Sequence, residues 1–128
     1  MKYTIDSSFW VSFFYVNDVN HEKAKEIFIE KNLIDKDIII NSFIVEEVTT
    51  ILTYKWWKEL WDNFLEALEV FNLIYSSVSI KDYILFYKNI NNKISFADTS
   101  ILYDAIYYNT KLITFDKQQE TIYLNIKY

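Results

Sequence analysis

Apolar residues in this chain recur with two spacings, one typical of β-strands and the other typical of α-helices. Continuous or alternating apolar runs predict four strands, at 3–5, 38–40, 73–77 and 112–115. The second of them is an uninterrupted β-branched run, which suits a strand buried on both faces. Apolar residues spaced three and four apart predict helices in the other segments, at 7–16, 21–31, 42–54, 57–71, 80–90 and 96–108.

The last residues, T-I-Y-L-N-I-K-Y, alternate Ile122, Leu124 and Ile126 with polar residues, which predicts one more strand. Strands that alternate with helices favour a parallel sheet covered by helices on both faces. The sequence therefore predicts an α/β fold, a three-layer αβα sandwich with a central, mainly parallel sheet. Because the chain has 128 residues and no internal repeat or linker, we expect a single domain over 1–128.

The composition narrows the possible classes of function. There is no cysteine, which excludes a disulfide framework, a thiolate metal site and a thiol nucleophile. The net charge of −5 argues against a broad basic surface for nucleic acid, but not against an acidic site that metal ions neutralise. The chain has neither an apolar run of membrane-spanning length nor a signal segment after Met1, so we expect a cytoplasmic protein with no membrane partner.

Two acidic residues directly follow predicted strands. Asp6 ends the first strand, and Asp116 ends the strand in K-L-I-T-F-D. In open parallel sheets, ligands bind beyond the carboxyl ends of the strands. An acid at a strand end is also typical of a turn or a helix cap, so each position taken alone has a structural interpretation as well.

Two further acids lie on the apolar stripe of a predicted helix. Glu47 shares its stripe with apolar residues, whereas the adjacent Glu46 lies on the polar face and is expected to be solvated. Asp98, in S-F-A-D-T-S-I-L-Y-D-A, also points toward the apolar side of its helix. Asp104 falls on another side and is expected to be solvated, with a supporting role as the alternative. The alternative interpretation of Asp98 is a helix cap, because Ser95 three residues earlier completes a capping-box pattern.

These positions direct four carboxylates toward one edge of the predicted sheet. Such a cluster repels itself and raises the pKa values of its members unless a cation compensates the charge. Oxygen ligands without cysteine select a hard ion such as Mg²⁺ or Mn²⁺. An ion of this kind lowers the pKa of bound water and neutralises charge on a phosphate, which suits cleavage of phosphate esters. The candidate ligands are Asp6, Glu47, Asp98 and Asp116.

An ordered set of short motifs resembles PIN-domain ribonucleases, whose best-known small members are the VapC-type toxins of toxin–antitoxin pairs. The motifs are I-D-S-S-F-W, D-V-N-H-E-K-A, V-E-E-V-T-T-I-L, S-F-A-D-T-S-I and L-I-T-F-D-K, in this order over nearly the whole chain. The resemblance implies an αβα fold and a divalent-metal-dependent endoribonuclease that hydrolyses RNA phosphodiester bonds. It maps the family's acidic quartet, as catalytic residues and metal ligands, onto Asp6, Glu47, Asp98 and Asp116.

The resemblance also implies supporting residues and partners. Ser7 matches the family's small hydroxyl residue after the first acid, and Thr114 matches the hydroxyl residue near the last acid. Asn109 stands where the family usually has glycine, and asparagine also tolerates the left-handed conformation. Contacts to RNA fall to lysines, such as Lys111 or Lys117, because the chain has no arginine. The implied protein partners are an antitoxin and a second copy of the chain in a homodimer.

Other functions remain open from the sequence alone. A non-catalytic scaffold of the same fold could bind RNA or protein through the aromatic cluster Y-K-W-W-K-E-L-W, in which Trp56 is the better contact residue. An RNA-processing nuclease that is not a toxin would carry the same acids. A haloacid-dehalogenase-like phosphatase would need an acid at position 8, which is Ser8.

Two more features have structural interpretations. His21 lies in the first turn of a surface-like helix, and we interpret it as structural and not as a catalytic base. A helical stripe of large apolar residues is typical of a core or a subunit interface. Its members are Tyr54, Trp57, Trp61, Phe64, Leu65 and Leu68.

Overall fold

The computed structural model describes residues 1–55, 58–90 and 94–127, so Trp56 and Trp57 of the aromatic cluster lie outside the described residues. Its strands are β1 (Lys2–Ile5), β2 (Asp37–Ile40), β3 (Asn72–Tyr75) and β4 (Lys111–Ile113). Its helices are α1 (Ser7–Phe14), α2 (His21–Glu30), α3 (Ser42–Lys55), α4 (Lys58–Leu68), α5 (Ile80–Asn89), α6 (Phe96–Tyr107) and α7 (Lys117–Lys127). Over the described ranges, no helix is long and apolar enough to cross a lipid bilayer.

The strands pair in the order β3-β2-β1-β4, and each of these pairs is parallel. β1 is therefore an interior strand, with β2 on one side and β4 on the other. Neighbouring parallel strands end at the same edge of a sheet, and the backbone N–H of Asp6 donates to the carbonyl oxygen of Ile113 at 3.1 Å. The predicted α/β fold with a parallel central sheet is confirmed, and the ends of β1 and β4 lie side by side.

Two hydrophobic cores hold the sheet between its helices. The larger core joins the sheet to α1, α3 and α4 and includes the fully buried Trp10 and Phe64. The smaller core packs α6 against α7 and includes Leu102. Leu112 and Ile113 are consecutive in β4 and belong to different cores, because successive side chains of a strand point to opposite faces. Helices therefore pack on both faces of β4 and hold its carboxyl end in place.

The prediction of a C-terminal strand is wrong, because this segment forms helix α7. The buried residues of α7 are Gln119, Ile122 and Tyr123, which have helical spacing, whereas Leu124 is exposed. The carboxylate of Asp116 accepts hydrogen bonds from two backbone N–H groups of the first turn of α7, at 2.9 and 3.2 Å. This N-cap and the packing of one helical face against α6 prevail over the apparent alternation along the sequence.

The turn between α6 and β4 contains Asn109 with a φ of 52°, which confirms the left-handed conformation expected there. The left-handed conformation costs most residues with a Cβ atom roughly 1–2 kcal/mol. The cost is lower for asparagine and lowest for glycine, which has no Cβ atom. We expect Asn109→Ala to lower the free energy of unfolding by about 1 kcal/mol and Asn109→Gly to leave it unchanged or raise it. Urea denaturation of the two variants measures the difference, and equal stability of both would contradict the prediction.

Candidate active site

Asp6 connects β1 to α1 and is buried, with 1% of its surface exposed. It is the N-cap of α1, and its Oδ1 accepts from the backbone N–H of Phe9 at 3.4 Å. Two hydroxyl groups also hold its carboxylate: Ser8 donates to Oδ1 at 2.6 Å and Thr114 donates to Oδ2 at 2.6 Å. An ionised carboxylate has about four acceptor sites, so three hydrogen bonds leave room for one further partner.

The surroundings of Asp6 also disfavour its charge. Burial raises the pKa of Asp6 to about 6, although the hydrogen bonds from Ser8, Thr114 and Phe9 lower it. The negative charge of Asp116 adds a smaller increase. Asp6 is therefore an acid whose ionised form needs a compensating positive charge nearby.

The turn after β4 brings Asp116 to the same edge of the sheet. β4 ends at Ile113, two residues before the predicted end, so Thr114 lies in the turn and not in the strand. Thr114 Oγ1 accepts from the backbone N–H of Asp116 at 2.9 Å, and Ser8 Oγ accepts from the backbone N–H of Phe115 at 2.9 Å. Ser8 and Thr114 each also bond Asp6, so together they tie the end of β1 to the end of β4.

Asp98 lies in the first turn of α6 and is half-buried. Ser95 is the N-cap, as the capping pattern predicted, and its hydroxyl accepts from the backbone N–H of Asp98 at 3.0 Å. A hydrogen bond from Ser95 also acts on the carboxyl group of Asp98, where it lowers the pKa. Gln119 of α7 donates from Nε2 to the carbonyl oxygen of Asp98 at 3.1 Å, and its own backbone N–H bonds Asp116 Oδ1 at 3.2 Å. Gln119 therefore links the two acids that start α6 and α7.

Glu47 lies on the face of α3 that turns toward α1. The hydroxyl of Ser7, the first residue of α1, donates to Glu47 Oε1. The adjacent Glu46 is exposed, as its helical phase predicted. The first turn of α1 therefore contacts two of the four acids, Asp6 through Ser8 and Glu47 through Ser7.

The four acids line one pocket of about 390 Å³, together with hydroxyl and amide side chains. Burial is the main cause that raises the pKa of Asp98 to about 6, and the charges of Glu47, Asp6 and Asp116 contribute to this increase, in that order. Each of the other three carboxylates is therefore close enough to repel Asp98. A larger cleft of about 650 Å³ lies between α5 and α7, but its described lining contains no acid.

The donor atoms of this pocket fit a hard divalent cation. Its acids offer only oxygen ligands, and their mutual repulsion favours binding of positive charge. Over the described ranges, no group of three or more His, Cys, Asp or Glu side chains is arranged so that it could hold a metal ion by itself. Mg²⁺ is usually bound by one or two carboxylates, with water and substrate phosphates as the other ligands. The pocket therefore fits an ion that keeps water and phosphate ligands better than it fits an ion enclosed entirely by protein ligands.

The sequence matches the model of a known protein family. The sequence model of the PIN domain matches residues 3–124. The chain belongs to the PIN domain family. A comparison with curated proteins finds no match.

Two solved structures share the fold of this PIN domain. VapC20 of Mycobacterium tuberculosis, described as a toxin that cleaves the sarcin–ricin loop, gives a TM-score of 0.82 at 14% identity, over 94% of each chain. VapBC2 from Rickettsia felis, solved with a DNA fragment from its promoter, gives a TM-score of 0.67 at 19% identity, over 95% of this chain and 93% of that one. At these identities the likeness shows the fold alone.

Sequence analysis missed three polar residues in and around the pocket of this PIN domain. Ser8 bonds Asp6, and its position two residues later is a signal that could have found it. Asp18 lines the pocket, where Ser12 donates to its Oδ1 at 2.9 Å. Gln119 precedes the segment predicted as a strand, and its inward direction depends on helix α7, which was not predicted.

The expectation that Asp104 is solvated is wrong, because this PIN domain buries it completely. Its carboxylate accepts hydrogen bonds from the side chains of Asn41, Ser76 and Tyr83. The helical phase correctly separates Asp104 from Asp98. It does not tell which other elements cover that side of α6.

The structural interpretation fits His21, but it fits the helical stripe of large apolar residues only in part. His21 is half-buried, and its Nδ1 lies 2.8 Å from the carbonyl oxygen of Ser12, as suits a structural residue. On the aromatic stripe, Phe64 and Leu68 are buried, whereas Tyr54 is 87% exposed and does not belong to the core.

Proposed function

We propose that this PIN domain, as a single domain over 1–128, is a divalent-metal-dependent endoribonuclease and the toxin of a toxin–antitoxin pair. The observation that carries the proposal is the convergence of four acids on one pocket, where the charges of three of them raise the pKa of Asp98. Its family supports a nuclease, and the fold of VapC20, described as a toxin that cleaves the sarcin–ricin loop, supports RNA as the substrate. We assign the roles of catalytic residues and of metal ligands, direct or through water, to Asp6, Glu47, Asp98 and Asp116.

Hydroxyl groups orient two of the proposed ligands. Thr114 and Ser8 fix the two oxygens of Asp6, and Ser7 fixes one oxygen of Glu47. Bound Mg²⁺ or Mn²⁺ would lower the pKa of water and neutralise charge that develops on the scissile phosphate. The carboxylates would bind the cation, and the acceptor position of Asp6 that no hydrogen bond uses would be available for it.

Lys117 is the better candidate for a contact to RNA. It is exposed and directly follows Asp116, at the edge where the acids lie. Lys111 begins β4 and therefore lies toward the opposite edge of the sheet. A phosphate next to the scissile bond could pair with Lys117 at the start of α7.

We also propose protein partners and a location. The resemblance to VapC-type toxins and the shared fold with VapBC2, described as bound to a DNA fragment of its promoter, support an antitoxin partner for this chain. Exposed apolar side chains offer surface for an antitoxin or for a second copy in a homodimer, among them Tyr54, Tyr75, Leu85 and Tyr107. A toxin that acts on cellular RNA would work in the cytoplasm.

The proposal is tested by comparing two adjacent glutamates. We expect Glu47→Gln to lower the rate of RNA cleavage with Mg²⁺ or Mn²⁺ by about tenfold or more, because one charged ligand near the cation is lost. Glu46→Gln is the matched control on the same helix, and we expect it to cleave at the wild-type rate because Glu46 is exposed. Equal rates for both variants would contradict the assignment of Glu47.

A scaffold without catalytic activity predicts a different result. In that case Mn²⁺ would leave the melting temperature of the wild-type protein unchanged, and no RNA would be cleaved. A metal-binding acidic site predicts a rise in melting temperature with the concentration of Mn²⁺, because a ligand of the native state stabilises it.

A further inference from the structure

A second buried polar cluster, which we call the Asp104 network, connects the start of α3 to α6, the two helices that carry Glu47 and Asp98. The carboxylate of Asp104 accepts hydrogen bonds from Ser76 at 2.7 Å and from Tyr83 at 2.6 Å, both to Oδ1. Its Oδ2 accepts from Asn41 Nδ2 at 2.8 Å. The network consists of Asn41, Ser76, Tyr83, Ser100 and Asp104.

A fully buried carboxylate is an expensive group in a protein interior. Burial raises the pKa of Asp104, and the hydrogen bonds from Tyr83, Ser76 and Asn41 hold it down. Apolar side chains of similar volume would fill such a space without this desolvation penalty. The network is therefore better explained by the geometry that it imposes than by the stability that it adds.

Asn41 is the residue through which the network reaches α3. Its Oδ1 accepts from the backbone N–H of Ile44 at 3.0 Å, which makes it the N-cap of α3. Its Nδ2 donates to Asp104 and also to Ser100 Oγ at 3.1 Å. Ser100 and Asp104 lie about one turn apart on α6. One side-chain amide thus fixes the start of α3 to two successive turns of α6.

The acidic pocket lies further along the same two helices. Glu47 follows Asn41 by six residues on α3, and Asp104 follows Asp98 by six residues on α6. Six residues correspond to a rise of about 9 Å along a helix. Because a helix moves as a nearly rigid element, a shift at the capped start of α3 also displaces Glu47 relative to Asp98.

We propose that Asp104 is a positioning residue: through Asn41 it holds α3 against α6, so that Glu47 and Asp98 face the same pocket. The inference rests on the proposed function for its catalytic consequence, but its geometric part stands without it. Asp104 itself does not line the pocket, and it acts only through Asn41.

The test removes the link between Asn41 and Asp104 and then restores it. Asp104→Asn replaces the charged acceptor by a neutral amide: it either accepts more weakly from Asn41 or, if its NH2 group faces Asn41, places two donors together. We therefore expect the affinity for Mn²⁺ and kcat to fall about 10- to 100-fold, with little change in KM for RNA. The double variant Asn41→Asp with Asp104→Asn exchanges carboxylate and amide, and we expect it to recover most of the loss. Tyr83→Phe is the control, because it removes a hydroxyl of the network and keeps the Asn41–Asp104 contact.

A second measurement does not depend on catalysis or on metal. We expect amide hydrogen exchange at Ile44 and Val45, in the first turn of α3, to accelerate in metal-free Asp104→Asn, while exchange in α7 stays as in the wild type. If Asp104→Asn does not fold, Asn41→Ser replaces it, because serine keeps an N-cap and lacks the amide link.

The outcomes separate the two proposals. Lowered stability with wild-type metal affinity, kcat and exchange in α3 would overturn the positioning role. Lower metal affinity, lower kcat and faster exchange in α3, all recovered in the double variant, would support it. If the wild-type protein neither binds Mn²⁺ nor cleaves RNA, the proposed function fails, and the exchange measurement alone decides whether Asp104 positions α3.

Discussion

The Asp98→Asn variant is expected to lose metal-dependent RNA cleavage by about 100- to 1000-fold while keeping the fold. The charges of Glu47, Asp6 and Asp116 all act on Asp98, so its carboxylate experiences the negative charge of the other three acids. A carboxylate that helps to hold a cation at a reacting phosphate contributes roughly 3–4 kcal/mol, and each 1.36 kcal/mol is a factor of ten in rate. Asparagine removes this charge and preserves the shape of the side chain.

The chain offers a matched control for this experiment. Ser79 caps α5 and accepts from the backbone N–H of Asp82, as Ser95 does for Asp98 at the start of α6. Asp82 is exposed and does not line the pocket. If Asp98 were only a capping residue, Asp98→Asn and Asp82→Asn would have the same small effect on stability and no effect on cleavage. Cleavage rates at saturating Mn²⁺, together with circular dichroism of both variants, decide between the two interpretations.

The second large effect is a dependence of stability on pH that Asp6 causes. Its pKa is about 6 in the folded protein and near 3.8 in the unfolded chain, so between these values the native state binds more protons. The free energy of unfolding therefore falls as pH rises from about 4 to about 6, and the loss is complete above that window. About two pKa units correspond to roughly 3 kcal/mol.

Asp6→Asn isolates this contribution. We expect the difference in the free energy of unfolding between the variant and the wild type to shift by roughly 2–3 kcal/mol in favour of the variant between pH 4 and pH 7. Urea denaturation with a chelator present measures both proteins at both pH values. A difference that stays constant with pH would show that Asp6 does not carry a raised pKa. Addition of Mn²⁺ to the wild type at pH 7 should offset the penalty, because the cation stabilises the ionised carboxylate.

The sequence was sufficient for the architecture because local signals and global fold agree. The β-branched run of β2 and the polar break at Asp6 both have one plausible place in a parallel sheet, and the structure confirms it. Helical phase alone separated Glu46 from Glu47, since neighbouring residues on a helix differ by about 100° in direction. That the four acids form a metal site stays a prediction, although they line one pocket.

The remaining features depend on contacts between distant segments, which no local pattern encodes. Alternation at 121–128 resembled a strand, but the cap from Asp116 and the packing of Ile122 decide for a helix. Asp104 looked solvated on α6 because its donors come from Ser76 and Tyr83, which are far from it in sequence. Tertiary contacts override local pattern in both cases.

Contacts in and beside the acidic site join segments that are far apart in the sequence. Thr4 and Thr110 are 106 residues apart, and Asp6 and Thr114 are 108 residues apart, yet both pairs are hydrogen-bonded. Closing so long a loop is slow, and it comes after local structure has formed. A growing chain on the ribosome has Asp6 and Glu47 long before Thr114 and Asp116 have been synthesised. Translation therefore has to reach Asp116 before the chain holds all four acids of the proposed site.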